Sequence, residues 1–418
     1  MAKESLVIVG TGWAGYTLSQ KLDDKKYDIT IISPEDTSPY TPLLASAACG
    51  LFDFSLAEEP VRHKHIKLEY YQARVESVDF ERKVCTCRPA VQTNGVKADA
   101  FEIGYDRLVL APGCVTNTFN TPGVEEYGYF VRNVNDAKRV QRQMRALVER
   151  ASIPGLSDEQ QRALLHIVIV GGGPTGVELS AEMSDLFSQD YSTLYPKLRG
   201  KMRISLHDAG HEILGNAFEA SLREYAMASF TKRGVEIVTD SRITEVGQDS
   251  IATKKLGHQP CGMVIWATGN KICPLVEKLD VAKAKAGMPR IQTDACLRVK
   301  ATDGSVMQDV FALGDAADVE KQSLPTTAEV AVQKAEYLAS ALNRSDFSQP
   351  FEYRQKALVA YIGGHDGVVS GKPTWSGAEA WAAWRSKNLL WTRSWRRKVM
   401  IMANWVLDLI NGKEIARA

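Results

Sequence analysis

"IVIVGGGPTGVELSAE", residues Ile167–Glu182, decides the fold. Ile167–Val170 is a short apolar run of the kind that forms a buried parallel strand, and the glycines that follow open onto a helix. Gly171 permits a tight turn, Gly173 lets backbone approach a pyrophosphate, and Gly176 lets helix pack closely on strand. Pro174 and Thr175 complete the loop, and the phosphates belong at the helix N-terminus, where free amides and the dipole favour negative charge. "LVIVGTGWAG" (Leu6–Gly15) repeats the device with Gly10, Gly12 and Gly15 in the same places and Thr11 and Ala14 between them. Ala14, Leu18 and Leu22 then recur at helical spacing. One such motif is weak evidence. Two copies, each strand–turn–helix, point to two dinucleotide sites in one chain, and the competing explanation needs a coincidental glycine turn twice.

Composition bounds the rest. The 418 residues exceed the ~250–300 at which a single core stops growing, so two or three domains are expected. Net charge is +1, which supplies no field for nucleic acid. The seven cysteines (49, 85, 87, 114, 261, 273, 296) show no zinc spacing and no CxxC pair, and read as reduced thiols. The first strand begins about five residues in, which leaves no room for a signal sequence. Read from Met1, the chain is therefore expected in the cytoplasm, or in the mitochondrion if a presequence precedes it. No apolar run reaches the ~20 residues of a membrane span. There is no repeat of solenoid length and no low-complexity tract. His63 and His65 alternate without a third ligand and read as solvated.

The strand after each glycine unit carries the next clue. Arg203–His207 ends at Asp208, whose carboxylate suits ribose hydroxyls and repels a 2′-phosphate, favouring NADH over NADPH. Asp208 lies 37 residues after Gly171, against the usual ~20, because "DLFSQDYSTLYPKLRG" lengthens the intervening helical region. The alternative for Asp208 is a turn residue. In the first copy Ile29–Ile32 ends at Ser33, not at an acid; Ser33 and the nearby Glu35 are the candidates for the ribose, a departure from the fingerprint that calls for other contacts as well. "DVFALGDAA" (Asp309–Ala317) provides one: Gly314 permits close approach and Asp315 can accept from a ribityl hydroxyl of a flavin. "LVLAPG", with Ala111 and Gly113, and "VIWATG", with Gly269, are further strands ending in small-residue turns, one after each unit.

With these motifs the chain resembles the type II NADH dehydrogenases, single-subunit flavoprotein NADH:quinone oxidoreductases, and most of all their fungal branch. The matching stretches are "IISPEDTSPYTPLLASA", "IVGGGPTGVELSAE", "VIWATGNK", "FALGDAA" and "LPTTAEVAVQKAEYLA", reaching from the first strand to about Leu342. The resemblance implies an α/β fold of two nested Rossmann-like domains, glutathione-reductase-like, with a C-terminal amphipathic helical module. It implies FAD in the first unit, NADH in the second, and a quinone reaching the flavin separately. The expected parts are 1–125 and 289–345 for FAD, 126–288 for NADH, and 346–418 for the module.

The same resemblance puts Glu178 beside the nicotinamide and Thr41 and Pro42 near the flavin ring. The competing roles are a carboxylate at a helix N-terminal turn for Glu178, and a plain loop before a helix for Thr41 and Pro42. Cys49 sits near where related reductases keep a redox cysteine. It has no CxxxxC partner, which removes the dithiol mechanism; a small packing residue is the better reading, with a single-cysteine oxidase mechanism as the alternative. The family pattern AQxAxQ flanks the quinone channel, and this chain presents Glu329 for the first glutamine while keeping Gln333 for the second. Thr326-x-x-Glu329 is also a capping box, with Thr326 as N-cap and Glu329 at N3, so a capping role stands beside the quinone role. The exchange leaves open a specialised quinone or an electrophilic metabolite as acceptor. From another class, an apoptosis-inducing-factor-like protein would use NADH to switch an interaction.

Six of the eight tryptophans lie between Trp375 and Trp405, mixed with Arg385, Lys387, Arg393, Arg396, Arg397 and Lys398. Two amphipathic helices with such a border suit peripheral attachment to a membrane surface. Helices packing on the enzyme's own core, or across a homodimer, are the alternative.

Overall fold

The two apolar runs become central strands because both of their faces are covered, as in parallel sheets flanked by helices. The structure, a computed structural model, describes residues 2–51, 53–62, 67–91, 99–215 and 218–411, so His63 and His65 lie outside the described residues. From the N-terminus, β1 (Glu4–Val9) leads through the first glycine turn into α1 (Trp13–Lys21) and returns as β2 (Tyr27–Ser33). The short helix α2 (Leu44–Ala48), β3 (Arg107–Leu110) and the long helix α3 (Val134–Ser152) follow. The second turn joins β4 (His166–Val170) to α4 (Pro174–Asp185), with β5 (Arg203–His207) and β6 (Met263–Trp266) after it. Next come β7 (Val306–Ala312) and α5 (Ala328–Arg344), then β8 (Leu358–Gly363), α6 (Ala378–Trp391) and α7 (Trp395–Asn411).

The chain folds into two compact units, each assembled from separate stretches. The first holds Met1–Pro39, Glu59–Val115 and Asn270–Gln355; the second holds Tyr40–Glu58, Thr116–Gly269 and Lys356–Ala418. In the first, β7, β3, β1, β2 and the strand Glu69–Asp79 lie side by side in that order, all parallel, within a ten-stranded sheet. In the second, β6, β4, β5 and Glu236–Val238 repeat the arrangement in a four-stranded parallel sheet. Each glycine strand thus has the returning strand on one side and the crossover strand on the other. That is the topological switch point at which doubly wound sheets bind ligands.

The two-residue period of β1 sorts its side chains into two cores. Leu6 and Ile8 join the cluster with Ala14 and Leu18 of α1 and Ala335 and Leu338 of α5. Val7 and Val9 join the opposite cluster, with Leu108, Leu110 and Ala312. In the second unit Val168 and Val170 pack with Val264 and Trp266.

The expected lengthening before β5 is real and has a specific form. Beyond Asp185 the helix continues as a π-helical turn, Leu186–Tyr191, followed by the short turns Ser192–Leu194 and Pro196–Leu198. In the tail, β8 pairs antiparallel with Asp366–Ser370, which pairs with Trp375–Gly377, and this small sheet packs on α4. Among the described residues no helix is long and apolar enough to cross a membrane.

The third glycine of each turn is a packing requirement. A Cβ on Gly15 would collide with the Gly10 carbonyl oxygen, and one on Gly176 with that of Gly171. Gly176→Ala is therefore expected to lower unfolding free energy by about 1–3 kcal/mol, less the ~1 kcal/mol gained in helix propensity. Gly173→Ala, where a Cβ meets nothing within 4 Å, should stay within about 1 kcal/mol of the parent. Denaturant midpoints of the full-length protein compare the two.

Candidate functional site

The glycine turns are two copies of one object. Gly10 (φ 105°) and Gly171 (φ 114°) hold backbone conformations that other residues rarely adopt. Gly10 N donates to Ile32 O and Gly171 N to His207 O, both at 2.8 Å. Ala111 N closes onto Val9 O at 2.9 Å and Ala267 N onto Val170 O at 2.8 Å. A side chain on Gly10 would strike the Ala111 carbonyl, and one on Gly171 the Ala267 carbonyl, so each turn is pressed onto its crossover strand. Gly12 and Gly173 face open space, and neither α1 nor α4 has a side-chain cap on its first amides. Open room over uncapped amides at a positive helix end fits a pyrophosphate.

In the first unit three turns from distant parts of the chain converge. Gly10 meets Ala111, and Gly314 (φ 65°) approaches Ala14, where an added Cβ would lie 3.2 Å from the alanine methyl. Asp315 is half-buried and accepts from Cys114 Sγ at 3.2 Å, and Gly113 (φ 70°) opens to free space beside it in sequence. Ser33 is buried. Its hydroxyl pairs with Thr11 Oγ1 at 2.9 Å and accepts from Glu35 N at 3.3 Å, so it braces the turn from within. Glu35 is exposed two residues further on.

In the second unit Asp208 serves the turns on both sides of it with its two carboxylate oxygens. One carboxylate oxygen accepts from Gly172 N at 2.5 Å, inside the glycine turn, and the other from Gly210 N at 2.6 Å, in its own turn. A carboxylate has about four acceptor positions, so capacity remains for ribose hydroxyls. Gly269 O accepts from Asn117 N at 2.8 Å, and Asn117 O accepts from Trp266 Nε1 and Thr268 Oγ1 at 2.9 and 2.7 Å, which fixes that loop.

Glu178 sits one turn into α4, half-buried, and its Oε1 accepts from Trp384 Nε1 at 3.0 Å and Tyr361 N at 3.4 Å. Burial pushes its carboxyl up to about 7, against the pull of these donors and of Lys387. Glu182 and Asp185 continue the same helix face, both buried. Glu182 accepts from Ser46 Oγ at 2.7 Å, while Asp185 takes the Tyr361 hydroxyl and the Gly364 amide and pairs with Arg233. The sequence reading missed this face. Acids at 178, 182 and 185 are helically spaced, but such a stripe reads as solvated until its cover is known. Thr41 and Pro42 form a 3-10 turn, exposed and half-buried respectively, ahead of α2. Cys49, closing α2, is fully buried, and all seven cysteines are free thiols.

The capping reading of Glu329 is corrected. Thr327, not Thr326, is the N-cap of α5: its hydroxyl accepts from Val330 N at 3.3 Å, so Glu329 falls at the second helical position and closes no box. The reason is a tertiary contact. Thr326 Oγ1 instead accepts from Asn270 Nδ2 at 3.3 Å. Glu329 Oε1 accepts from Gln333 Nε2 at 2.5 Å, and Gln333 also bonds Arg354 O at 2.9 Å and Arg354 N at 3.0 Å. The pair is thus held rigidly on one side of α5. Lys334, the next residue, is a further surprise: it is fully buried, donates to Ala317 O at 3.0 Å, and has its ammonium pushed down to about 8 by burial. Its signal was present, since it occupies a core position between Val330 and Leu338 in the apolar stripe of α5.

In the tail, Arg385 lies 4.0 Å over the Trp405 ring and 5.3 Å from Trp381, so these tryptophans and this cation join α6 to α7 instead of bordering a surface. The outward face is different. Trp395 (77% exposed), Val399, Met402, Val406 and Ile410 (72%) recur at helical spacing along α7, beside Arg396, Arg397 and Lys398.

Residues 4–335 match the family model described as pyridine nucleotide-disulphide oxidoreductase. The chain is 35% identical to a probable NADH dehydrogenase of Dictyostelium discoideum, over 99% of this chain and 91% of that one. It is 32% identical to the internal alternative NAD(P)H-ubiquinone oxidoreductase A1, mitochondrial, of Solanum tuberosum, over 99% and 88%. Among solved structures, NDH2 from Plasmodium falciparum in complex with NADH shares the fold, with a TM-score of 0.90 over 100% of both chains at 23% identity.

The Glu178 geometry has a consequence for stability. A carboxyl raised from 4.5 to about 7 keeps its proton when folded after the unfolded chain has lost it. Between these values the unfolded state binds fewer protons, so stability falls as pH rises from about 4.5 to about 7. The loss should be about 1–3 kcal/mol and should vanish in Glu178→Gln, as read from denaturation curves across that range.

Proposed function

We propose that this chain, which belongs to the pyridine nucleotide-disulphide oxidoreductase family and within it to the alternative, type II NADH dehydrogenases, is an FAD-dependent NADH:quinone oxidoreductase that does not pump protons. The observation that carries this reading is the duplicated cradle: two open, uncapped helix starts, each pressed onto its crossover strand, in a chain with no CxxC or CxxxxC spacing for a dithiol step. Bound FAD supplies the two-electron relay between NADH and quinone, chemistry that side chains cannot provide.

The residues divide by role. Residues 1–125 and 289–345 hold FAD and 126–288 hold NADH. Gly10–Gly15 take the FAD pyrophosphate, Asp315 a ribityl hydroxyl, and exposed Glu35, instead of the inward Ser33, the adenosine ribose. Ala111 and Gly113 keep the backbone low beside the cofactor, and Thr41 and Pro42 lie at the flavin ring. Gly171–Gly176 take the pyrophosphate of NADH, Asp208 its ribose, Gly269 its distal wall, and Glu178 the nicotinamide end. Glu329 and Gln333 serve the quinone side. A specialised quinone is a second reading, favoured by the Glu329–Gln333 bond, which puts a carboxylate where the family presents an amide.

The apolar face of α7 with its flanking cations suits a peripheral seat on an anionic membrane surface, where quinones dissolve. A homodimer closing over the same face is the alternative. A mitochondrial membrane is the reading supported by the printed name of the Solanum tuberosum relative.

Steady-state turnover with NADH and a panel of quinones tests the assignment. Efficient reduction of at least one quinone is expected, with NADH preferred over NADPH. Asp208→Ser should narrow that preference, measured as kcat/KM for both donors. Absence of turnover, with a long-lived reduced flavin, would assign the chain to NADH-switched interaction instead.

Membrane attachment is tested separately with vesicles containing anionic lipid. Val399→Asp combined with Val406→Asp should abolish co-sedimentation and leave soluble-quinone turnover within about three-fold, since basic and apolar contributions act at the surface only. If the double variant still sediments, α7 is not the anchor.

A further inference from the structure

Glu178 is held from outside its own helix. The Trp384 indole N–H reaches Oε1 from α6 at 3.0 Å, and the Tyr361 amide reaches the same oxygen from β8 at 3.4 Å. The two donors brace each other, because the Trp384 and Tyr361 rings stack at 4.9 Å and 21°. Tyr361 is fixed in turn, its hydroxyl donating to Asp185, which accepts Gly364 N at 3.1 Å and pairs with Arg233. An indole wedged in this way cannot turn aside without breaking the stack, so the carboxylate it binds is limited to one orientation.

We propose that Trp384 is a positioning residue for the NADH half-reaction: its N–H favours the anionic form of the Glu178 carboxylate and aims it, and the C-terminal segment thereby completes the NADH site. This inference rests on the assignment of Glu178 to the nicotinamide end. An indole N–H only donates, and it binds a charged oxygen more strongly than a neutral one. Its removal must therefore raise the affinity of Glu178 for its proton.

The surrounding charges do not supply the same restraint. On α4 itself Glu182 and Asp185 bind Ser46 and Tyr361, and on α6 Arg385 is committed to Trp405 and Trp381. His166 of β4 and His207 of β5 are buried, kept below their ordinary range by that burial, and bonded to Ser205 and Ser241. Cys49 is buried at the end of α2, and Asp190 and Tyr191 close the π turn. Among the described residues Lys387 is the cation that acts on Glu178 directly, and it is untouched by a change at Trp384.

The test uses the full-length, FAD-loaded protein and stopped-flow reduction by NADH from about pH 5 to about pH 9, about two units either side of the expected midpoint. In the parent, a pH limb with a midpoint near 7 is expected, and Glu178→Gln should remove it. Trp384→Phe keeps the stack and deletes the N–H. It should move the limb upward by about one unit or more, and the same change made in Glu178→Gln should have no further effect. Superimposable parent and Trp384→Phe profiles overturn the proposal. So does an equal rate loss from Trp384→Phe in both backgrounds, which would mark a merely structural role. A limb that survives in Glu178→Gln removes Glu178 from the NADH site and the proposal with it, whereas a limb lost in Glu178→Gln but unmoved in Trp384→Phe removes only Trp384. If Trp384→Phe fails to fold, the ¹⁵N–¹H resonance of the Trp384 indole in the unmutated protein decides: it should titrate with the same midpoint and become flat in Glu178→Gln, and a flat resonance in the parent overturns the assignment.

Discussion

Everything in each nucleotide unit depends on one close approach, the backbone of the first glycine against the carbonyl of the crossover strand. At Gly10 the neighbour is Ala111 and at Gly171 it is Ala267, and in both places a side chain has no room. The contact brings the turn to the C-terminal end of the sheet and forces the chain to reverse there. Because the third glycine must then lie on the first one's carbonyl, the helix starts at a set distance from the strand. The second glycine, alone of the three, faces nothing, and that open room over uncapped amides suits a diphosphate. The same short-range steric rule, applied twice, yields both sites.

The second unit adds a task to its nucleotide helix. Three carboxylates on one face of α4 would each be costly to bury alone. Each is met by a donor from elsewhere in the unit: Trp384 and Tyr361 at Glu178, Ser46 at Glu182, and Tyr361, Gly364 and Arg233 at Asp185. The tail segment thus supplies both donors to Glu178 and two of the partners of Asp185, while Ser46 and Arg233 come from outside it. This explains why residues 356–418 belong to the second unit rather than forming a separate appendage. It also divides the tryptophans. Trp381, Trp384 and Trp405 are spent on internal contacts, and the aromatic left facing outward on α7 is Trp395.

In the first unit, the buried ion pair of Arg290 with Asp318, both under 9% exposed, ties down the loop before α5 through Leu324 N and O. Lys334 adds a third buried charge, donating to the carbonyl of Ala317 two residues beyond Asp315. Asp315 is therefore carried on a turn clamped from the helix behind it. Turns that must meet a ligand within a few tenths of an ångström need such support, because loop backbone left to itself does not hold that geometry.

The sequence by itself determined the parallel sheets, the two turns, their strand and helix flanks, and the acid at Asp208, because these rest on short-range rules. A run of four apolar residues, a steric demand for glycine, and an acid at a strand end are all settled within a few residues of chain. Even the unusual spacing to Asp208 was legible, since the inserted stretch kept helical character and simply extended α4 through a π turn. Only the tertiary structure decided what pairs with what. Ser33 turns inward because Thr11, on the neighbouring turn, offers a partner, and Thr327 takes the cap because Asn270, 56 positions earlier than Thr326, claims that hydroxyl. Trp384 meets Glu178 across 206 residues. Such contacts leave no periodicity in the sequence: a tryptophan in an amphipathic tail and a glutamate near a helix start look the same whether they face water or each other, and burial alone makes the difference.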